Sequence, residues 1–298
     1  MNPGPRWSDL SGRTALVTGG SRGIGRAAAQ ALAEAGADVI VSSRNEASCR
    51  AAAEEIAAAT GRRAFAHACH VGHWEELDQL AEAAWRHTGR LDILVNNAGM
   101  SPLYDRVTDV TEDLFDKVVG VNLKGPFRLT ALIGSRMAEQ GVRGSIINVS
   151  SVGGIRPQPD TIPYSAAKAG LNAMTVAFAH LLGPAVRVNA VAPGRVLTDV
   201  SKHWDPAQLQ MANELTALRR AGGPEELAGA IVYLASDAAS YTSGALLRVD
   251  GGWLPLFLPN GLVVTTRWAS GYSPASRDAA PSMRHRMVGG SRSWKGSW

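Results

Sequence analysis

Short runs of β-branched and aliphatic residues alternate with alanine-rich stretches of helical length along almost the whole chain, and this alternation restricts the fold more than any other feature. Strands are expected at 14–18, 39–43, 63–68, 92–96, 145–150, 187–191 and 245–249. Helices are expected at 23–36, 46–60, 74–88, 111–140, 164–182 and 224–236, the fifth stopped by Gly183 and Pro184. Such alternation marks βαβ units, whose crossovers build a parallel sheet. The runs LDILVN, SIINVS and VRVNAV are apolar on both alternating faces, as strands covered by helices on each side must be. The expected fold is therefore α/β, a three-layer doubly wound parallel sheet of about seven strands.

Between the first strand and the first helix lies TGGSRGIG, residues 18–25. Gly19, Gly23 and Gly25 sit where a chain must turn tightly and let a ligand approach its backbone. The helix that follows offers unpaired N–H groups and a positive dipole end, a site suited to a pyrophosphate. Strand, turn and helix in this order give the Rossmann-type signature of dinucleotide binding, with Ser21, Arg22 and Ile24 in the same loop. An acid at the end of the second strand would bond a ribose 2′-hydroxyl and repel a 2′-phosphate. This chain has Ser42, Ser43 and Arg44 there, and Arg44 with Arg22 suits a phosphate clamp with the serines as added donors, so NADP is expected over NAD.

Tyr164 and Lys168 stand four residues apart in PYSAAKAG, on one face of an expected helix. That spacing puts an ammonium beside a phenol, where it favours the ionised form. With the serine pair Ser150 and Ser151 upstream, the set suits proton transfer in a nicotinamide-dependent redox reaction.

Six ordered motifs together make the chain resemble the short-chain dehydrogenase/reductase family over residues 10–253. They are TGGSRGIG, NNAG at 96–99, the asparagine of VNLKG at Asn122, the serine pair, YSAAK at 164–168 and PGRVLT at 193–198. The resemblance implies a tetrad of Asn122, Ser151, Tyr164 and Lys168. The family's thirteen-residue spacing to the tyrosine selects Ser151 over Ser150. It implies that Tyr164 is the general acid in reduction and the base in oxidation, and that Ser151 bonds the substrate oxygen. Lys168 would hold the nicotinamide ribose and lower the Tyr164 pKa, and Asn122 would kink its helix and bind a water through its backbone. It further implies cofactor contacts at Asn97, Ala98 and Gly99, with Asn97 equally suited to a structural role, and at Pro193, Gly194 and Thr198. Relatives of the oxoacyl-carrier-protein reductase and glucose/ribitol dehydrogenase kind are the ones it resembles, so 3-oxoacyl thioesters, sugars or polyols and general ketones all stay open as substrates.

One position departs from the family. After the third strand an aspartate commonly accepts from the adenine amino group, whereas this chain reads CHVG, placing His70 and Val71 there. A neutral imidazole nitrogen is able to accept the same bond.

Three loops beyond strand carboxyl ends are expected to line the substrate pocket. Their candidates are Tyr104, Ile155, Arg156, Gln158, Val200, His203 and Trp204, and the third loop suits a lid. Arg156, Arg195 and Lys202 are the cations placed to meet an acidic or phosphopantetheine-linked substrate.

The formal charge of +4 first suggests a polyanion partner. Its location argues otherwise, because residues 254–298 hold six basic side chains and the single acid Asp278, leaving the rest of the chain near neutral. Nucleic acid is therefore not expected as a partner. Those last 45 residues carry Trp268, Trp294 and Trp298 without periodicity and are expected to form an extension, poorly ordered or docked on a neighbouring subunit, after a dehydrogenase/reductase domain at 1–253. No run approaches the ~18 apolar residues of a membrane span. Cys49 and Cys69 have no CxxC or metal spacing and are expected as free thiols in the cytoplasm, and no metal is expected, with His67, His73 and His87 solvated. The resemblance implies a homodimer or homotetramer. A cofactor-binding sensor without catalysis is the alternative from another class, and it would need a broken tetrad.

Overall fold

A computed structural model describes residues 7–253 apart from 200 and 202–205. Expectations for Val200, Lys202, His203, Trp204 and the segment 254–298 therefore lie outside the described residues.

Strands β1 (Thr14–Thr18), β2 (Asp38–Ser43), β3 (Ala64–Ala68), β4 (Ile93–Asn96), β5 (Gly144–Val149), β6 (Val186–Pro193) and β7 (Leu246–Val249) form one sheet. Its order is β3-β2-β1-β4-β5-β6-β7, every pairing parallel. Helices α1 (Gly23–Glu34), α2 (Glu46–Thr60), α3 (Trp74–Thr88), α4 (Glu112–Val119), α5 (Gly125–Glu139), α6 (Ile162–Leu182), α7 (Pro206–Glu214) and α8 (Glu225–Ala235) make the crossovers.

Period-two alternation divides the core. Val17, Val39, Val41 and Ile147 pack with Leu32, Ile56, Leu227 and Ile231 on one face, whereas their strand neighbours Leu16, Ile40 and Ile146 pack with Leu80, Leu129, Ile133 and Phe178 on the other. Each fully buried side chain of this kind is worth about 1.5–3 kcal/mol, so both faces of the sheet are strongly committed to burial. A single-residue register slip would exchange the two sets.

The helix boundaries have local causes. Asn45 caps α2 by accepting from the Ser48 amide at 2.8 Å, and Gly61 ends it in the left-handed region at φ 68°. Thr111 caps α4 in the same way through the Leu114 amide. At α1 the pattern is absent: Arg22 precedes the helix with no side-chain cap bond, so the first-turn amides stay available to a ligand.

Two elements depart from expectation. The helix expected over 111–140 is α4 and α5 joined by a π-helical turn at Gly120–Lys124, centred on Asn122. That turn fits the helix-kinking role implied for Asn122. The stretch expected as a loop after β6 contains α7, which begins at Pro206, a residue suited to the first turn of a helix.

Strand order reverses between β1 and β4, and an open α/β sheet places its ligand crevice outside the carboxyl ends of such strands.

Candidate active site

The glycine loop leaves β1 with Gly19 at φ 64° and Gly23 at φ 55°, both in the left-handed region that disfavours side chains. A Cβ on Gly19 would stand 2.8 Å from Asn97 Nδ2, and one on Gly25 would collide with the Gly19 carbonyl and Asn97. Only glycine fits at either position. Asn97 braces the loop, its amide donating to the Thr18 carbonyl at 2.9 Å and the Gly19 carbonyl at 3.3 Å. Thr18 Oγ1 accepts from the Asn97 and Ala98 amides, tying β1 to β4 directly beneath the crevice. Across it, Thr198 is the nearest neighbour to the open side of Gly23, with Cγ2 3.4 Å from where a Cβ would be. A cradle lined by backbone, open at a helix N-terminus and bounded opposite by Thr198 fits a dinucleotide diphosphate.

At the end of β2, Arg44 and Arg22 are both exposed, with no ion pair among the described residues. The serines behave differently from expectation. Ser42 is fully buried with no hydrogen-bond partner for its hydroxyl, and Ser43 Oγ pairs with Cys49 Sγ at 3.0 Å. The positive end of this site is therefore the arginine pair, with the serine hydroxyls turned to the protein.

His70 has neighbours that change its chemistry. Its Nδ1 accepts from the Gly72 amide at 3.1 Å, so the neutral ring carries its hydrogen on Nε2. Burial holds the ring below the usual histidine range, and the charges of His73 and Arg44 add to the effect against Glu76. His73 stacks on it at 4.2 Å and bonds Glu76 at 2.6 Å while staying exposed, as expected. His67 is half-buried and packs edge-on to the exposed His87. Among the described residues no histidine, cysteine or acid cluster has metal-binding geometry. Cys49 and Cys69 are buried and unpaired, and burial pushes the Cys69 thiol up to about 12.

Ser151, Tyr164 and Lys168 meet in a cleft of about 650 Å³ at the carboxyl ends of β4, β5 and β6. Ser150 also borders the cleft, but it is 3% exposed and its hydroxyl donates to the Asn172 side-chain oxygen. Ser151, which accepts from the Gly153 amide at 3.0 Å, is the serine whose hydroxyl is near enough to the Tyr164 phenol to favour its ionised form. One turn along α6, Lys168 is 3% exposed and donates to the Val149 carbonyl at 2.8 Å. Burial drags its pKa down to about 8. The same burial raises the Tyr164 phenol above its ordinary value, with Ser151 opposing. In the free chain, then, desolvation outweighs the help expected from Lys168.

Asn122 is fully buried, donating to the carbonyls of Met100 at 2.8 Å and Val118 at 2.9 Å and accepting from the Met100 amide at 3.3 Å. It fixes the strand end after β4 against the π turn. Asn96 is a purely internal tie, donating to Thr130 and to Asn148 on β5.

Of the substrate-loop candidates, Gln158 lines the cleft. Tyr104 does not: its hydroxyl donates to the Pro159 carbonyl at 2.8 Å and accepts from the Ile162 amide at 2.9 Å, bracing two loops. Ile155 and Arg156 are exposed outside it. Asp160 and Trp253 line the cleft and were not foreseen, because only the pairing of β6 with β7 brings Trp253 beside Arg195.

Comparison with known proteins supports one lineage. Residues 19–254 match the family described as Enoyl-(Acyl carrier protein) reductase. The chain is 41% identical over 251 residues to L-rhamnose 1-dehydrogenase (NAD(P)(+)) of Azotobacter vinelandii, covering 82% of this chain and 97% of that protein. Among solved structures, NADPH-dependent 3-quinuclidinone reductase from Rhodotorula rubra superposes with a TM-score of 0.80 at 31% identity, over 85% of this chain and 96% of that one. A 7α-hydroxysteroid dehydrogenase complexed with NADH and 7-oxo glycochenodeoxycholic acid gives 0.79 at 34% identity, over 83% and 96%. With the glycine cradle, the π turn and the cleft already in place, the chain belongs to the short-chain dehydrogenase/reductase family, NAD(P)-dependent oxidoreductases that interconvert alcohols and carbonyls.

Proposed function

We propose that the chain is an NADPH-favouring carbonyl reductase, or the alcohol dehydrogenase that is its reverse, with Tyr164 as the proton donor. The observation that carries this reading is the convergence of Ser151, Tyr164 and Lys168 on one cleft beside a backbone cradle fitted to a diphosphate.

The nicotinamide cofactor, when bound, supplies or takes the hydride. The chain's own residues handle charge and position. Ser151 Oγ and Tyr164 Oη both face the cleft and together hold the substrate oxygen. In reduction, Tyr164 Oη releases its proton to that oxygen as negative charge develops there. Lys168, with a pKa of about 8, is mostly cationic at pH 7 and steadies the phenolate left behind. Its bond to the Val149 carbonyl fixes where that charge sits. Asn122 is a positioning residue that holds the backbone at Met100 and the turn next to Lys168.

Arg22 and Arg44 carry the preference for a 2′-phosphate, since both are exposed at the adenosine end and no acid replaces them at the end of β2. Gly19, Ser21, Gly23, Ile24 and Gly25 form the diphosphate cradle, and Thr198 closes it. His70, Val71, Ala98 and Gly99 flank the adenosine half, Pro193 and Gly194 the nicotinamide half. Assembly into a homodimer or homotetramer is part of the same proposal, supported by the exposed apolar side chains Phe115, Phe127, Val176 and Leu181 on the helices after β4 and β5. Among the described residues no helix is long and apolar enough to cross a membrane.

Carbonyl compounds assayed with NADPH and NADH, followed by nicotinamide absorbance, test this function. Cofactor-dependent reduction with a lower KM for NADPH supports it, and binding of cofactor without turnover of any compound supports the sensor reading instead.

A further inference from the structure

The cleft contains one cation that proton transfer does not use. Arg195 follows the turn after β6, and its backbone is pinned: the Arg195 carbonyl accepts from the Gly222 amide at 2.9 Å, and Val196 bridges to the same Gly222. Its guanidinium carbon stands 5.2 Å from the centre of the Trp253 ring. Nη1 is buried without a hydrogen-bond partner. Among the described residues no carboxylate pairs with it, although Asp160 across the cleft is close enough for its charge to be felt. Burial accordingly weakens the guanidinium's hold on its proton, with Asp160 opposing.

Arg195 is half-buried, and a guanidinium nitrogen buried without a partner carries a cost that is recovered when an anion arrives. The Trp253 ring lies against one side of the guanidinium and Nη1 has no partner, and a guanidinium receives a carboxylate with two parallel hydrogen bonds. Among the described residues the charged side chains lining the cleft are Asp160, Lys168 and Arg195, a net positive set while Lys168 is protonated. The cofactor's phosphates have a different wall. Their cradle lies at the start of α1 opposite Thr198, whereas Arg195 packs on Trp253, beyond β7, and faces the loop that leads from Ser151 to Tyr164.

We propose that Arg195 is a substrate-anchoring residue that takes the carboxylate of an oxo- or hydroxy-acid while the reacting oxygen lies at Ser151 and Tyr164. The proposal rests on the oxidoreductase reading above and narrows its substrate class to carboxylate-bearing ketones and their alcohols.

Two matched pairs of probes test it, 4-oxopentanoate against its methyl ester and 4-acetylbenzoate against its methyl ester, titrated by calorimetry into the full-length chain saturated with NADP. Charge-assisted bonding predicts that at least one acid binds about tenfold or more tightly than its ester. In Arg195→Gln that ratio falls to within about twofold, through loss of acid affinity. Arg195→Lys, which keeps the charge and loses the fork, gives an intermediate ratio. Equal affinity of acid and ester in the native chain, or weak binding of all four probes, overturns the proposal without reference to any variant. So does an acid preference that survives Arg195→Gln, or a Gln variant that loses NADP affinity instead. Turnover of either ester is read separately by nicotinamide absorbance, so failure of the anchor and failure of the oxidoreductase reading give different results.

Discussion

Lys168 Nζ stands 5.8 Å from the centre of the Tyr164 ring, one helical turn away on α6, while bonded to the carbonyl of Val149 at the end of β5. The ammonium is thus held by the sheet rather than by the phenol. Its pKa of about 8 measures how poorly solvated that position is.

This placement has a pH signature. The pKa of Lys168 is depressed in the fold, so the charged form is penalised there and the penalty is fully present below pH 8. As pH rises from about 8 to 10.5 the folded chain sheds the proton before the unfolded chain does, and stability recovers by up to roughly 3 kcal/mol. Lys168→Met should therefore gain stability relative to the native chain at pH 7 and lose most of that advantage at pH 10. Urea midpoints of both proteins at the two pH values measure this, and an advantage independent of pH contradicts it.

Arg44→Asp should exchange the cofactor preference. An acid at the end of β2 repels a 2′-phosphate and bonds a 2′-hydroxyl, so the ratio of NADPH to NADH dissociation constants is expected to rise by about tenfold or more. Nicotinamide fluorescence on binding gives both constants directly. Unchanged constants for both would remove Arg44 from the clamp.

Asn122→Ala leaves the carbonyl and amide of Met100 without their partner in a buried site. A cost of about 1–3 kcal/mol is expected, with a fall in kcat because the turn beside Lys168 loosens. Thermal or denaturant unfolding and steady-state kinetics read the two effects. A variant of native stability would place the tie elsewhere.

The parallel sheet and the glycine cradle were legible because strands buried on both faces have continuous apolar sequences and because glycines recur where strand gives way to helix; the strand order came from the structure. The spacing of Tyr164 and Lys168 likewise determined that they share a helix face. It did not determine their ionisation: burial depends on what the helix packs against, and here desolvation moved both groups away from the activated state. Contacts between distant segments were equally hidden. Tyr104 looked like a pocket residue until its hydroxyl was found on the Pro159 carbonyl, 55 positions away. The pairing of Arg195 with Trp253 depends on the β6–β7 register, in which Pro193 stands opposite Val249. α7 was missed because its own sequence, PAQLQMANE, is short and polar, with Leu209 and Met211 too few to set a helical apolar period.

The central claim is that the Tyr164 hydroxyl delivers the proton, and Tyr164→Phe tests it most directly because the ring and its packing remain. Turnover measured by loss of NADPH absorbance on the best carbonyl substrate should fall by about 10²–10⁴-fold, with the NADPH dissociation constant within about twofold of native. Retention of more than about a tenth of native turnover, with cofactor binding intact, would show that another group supplies the proton.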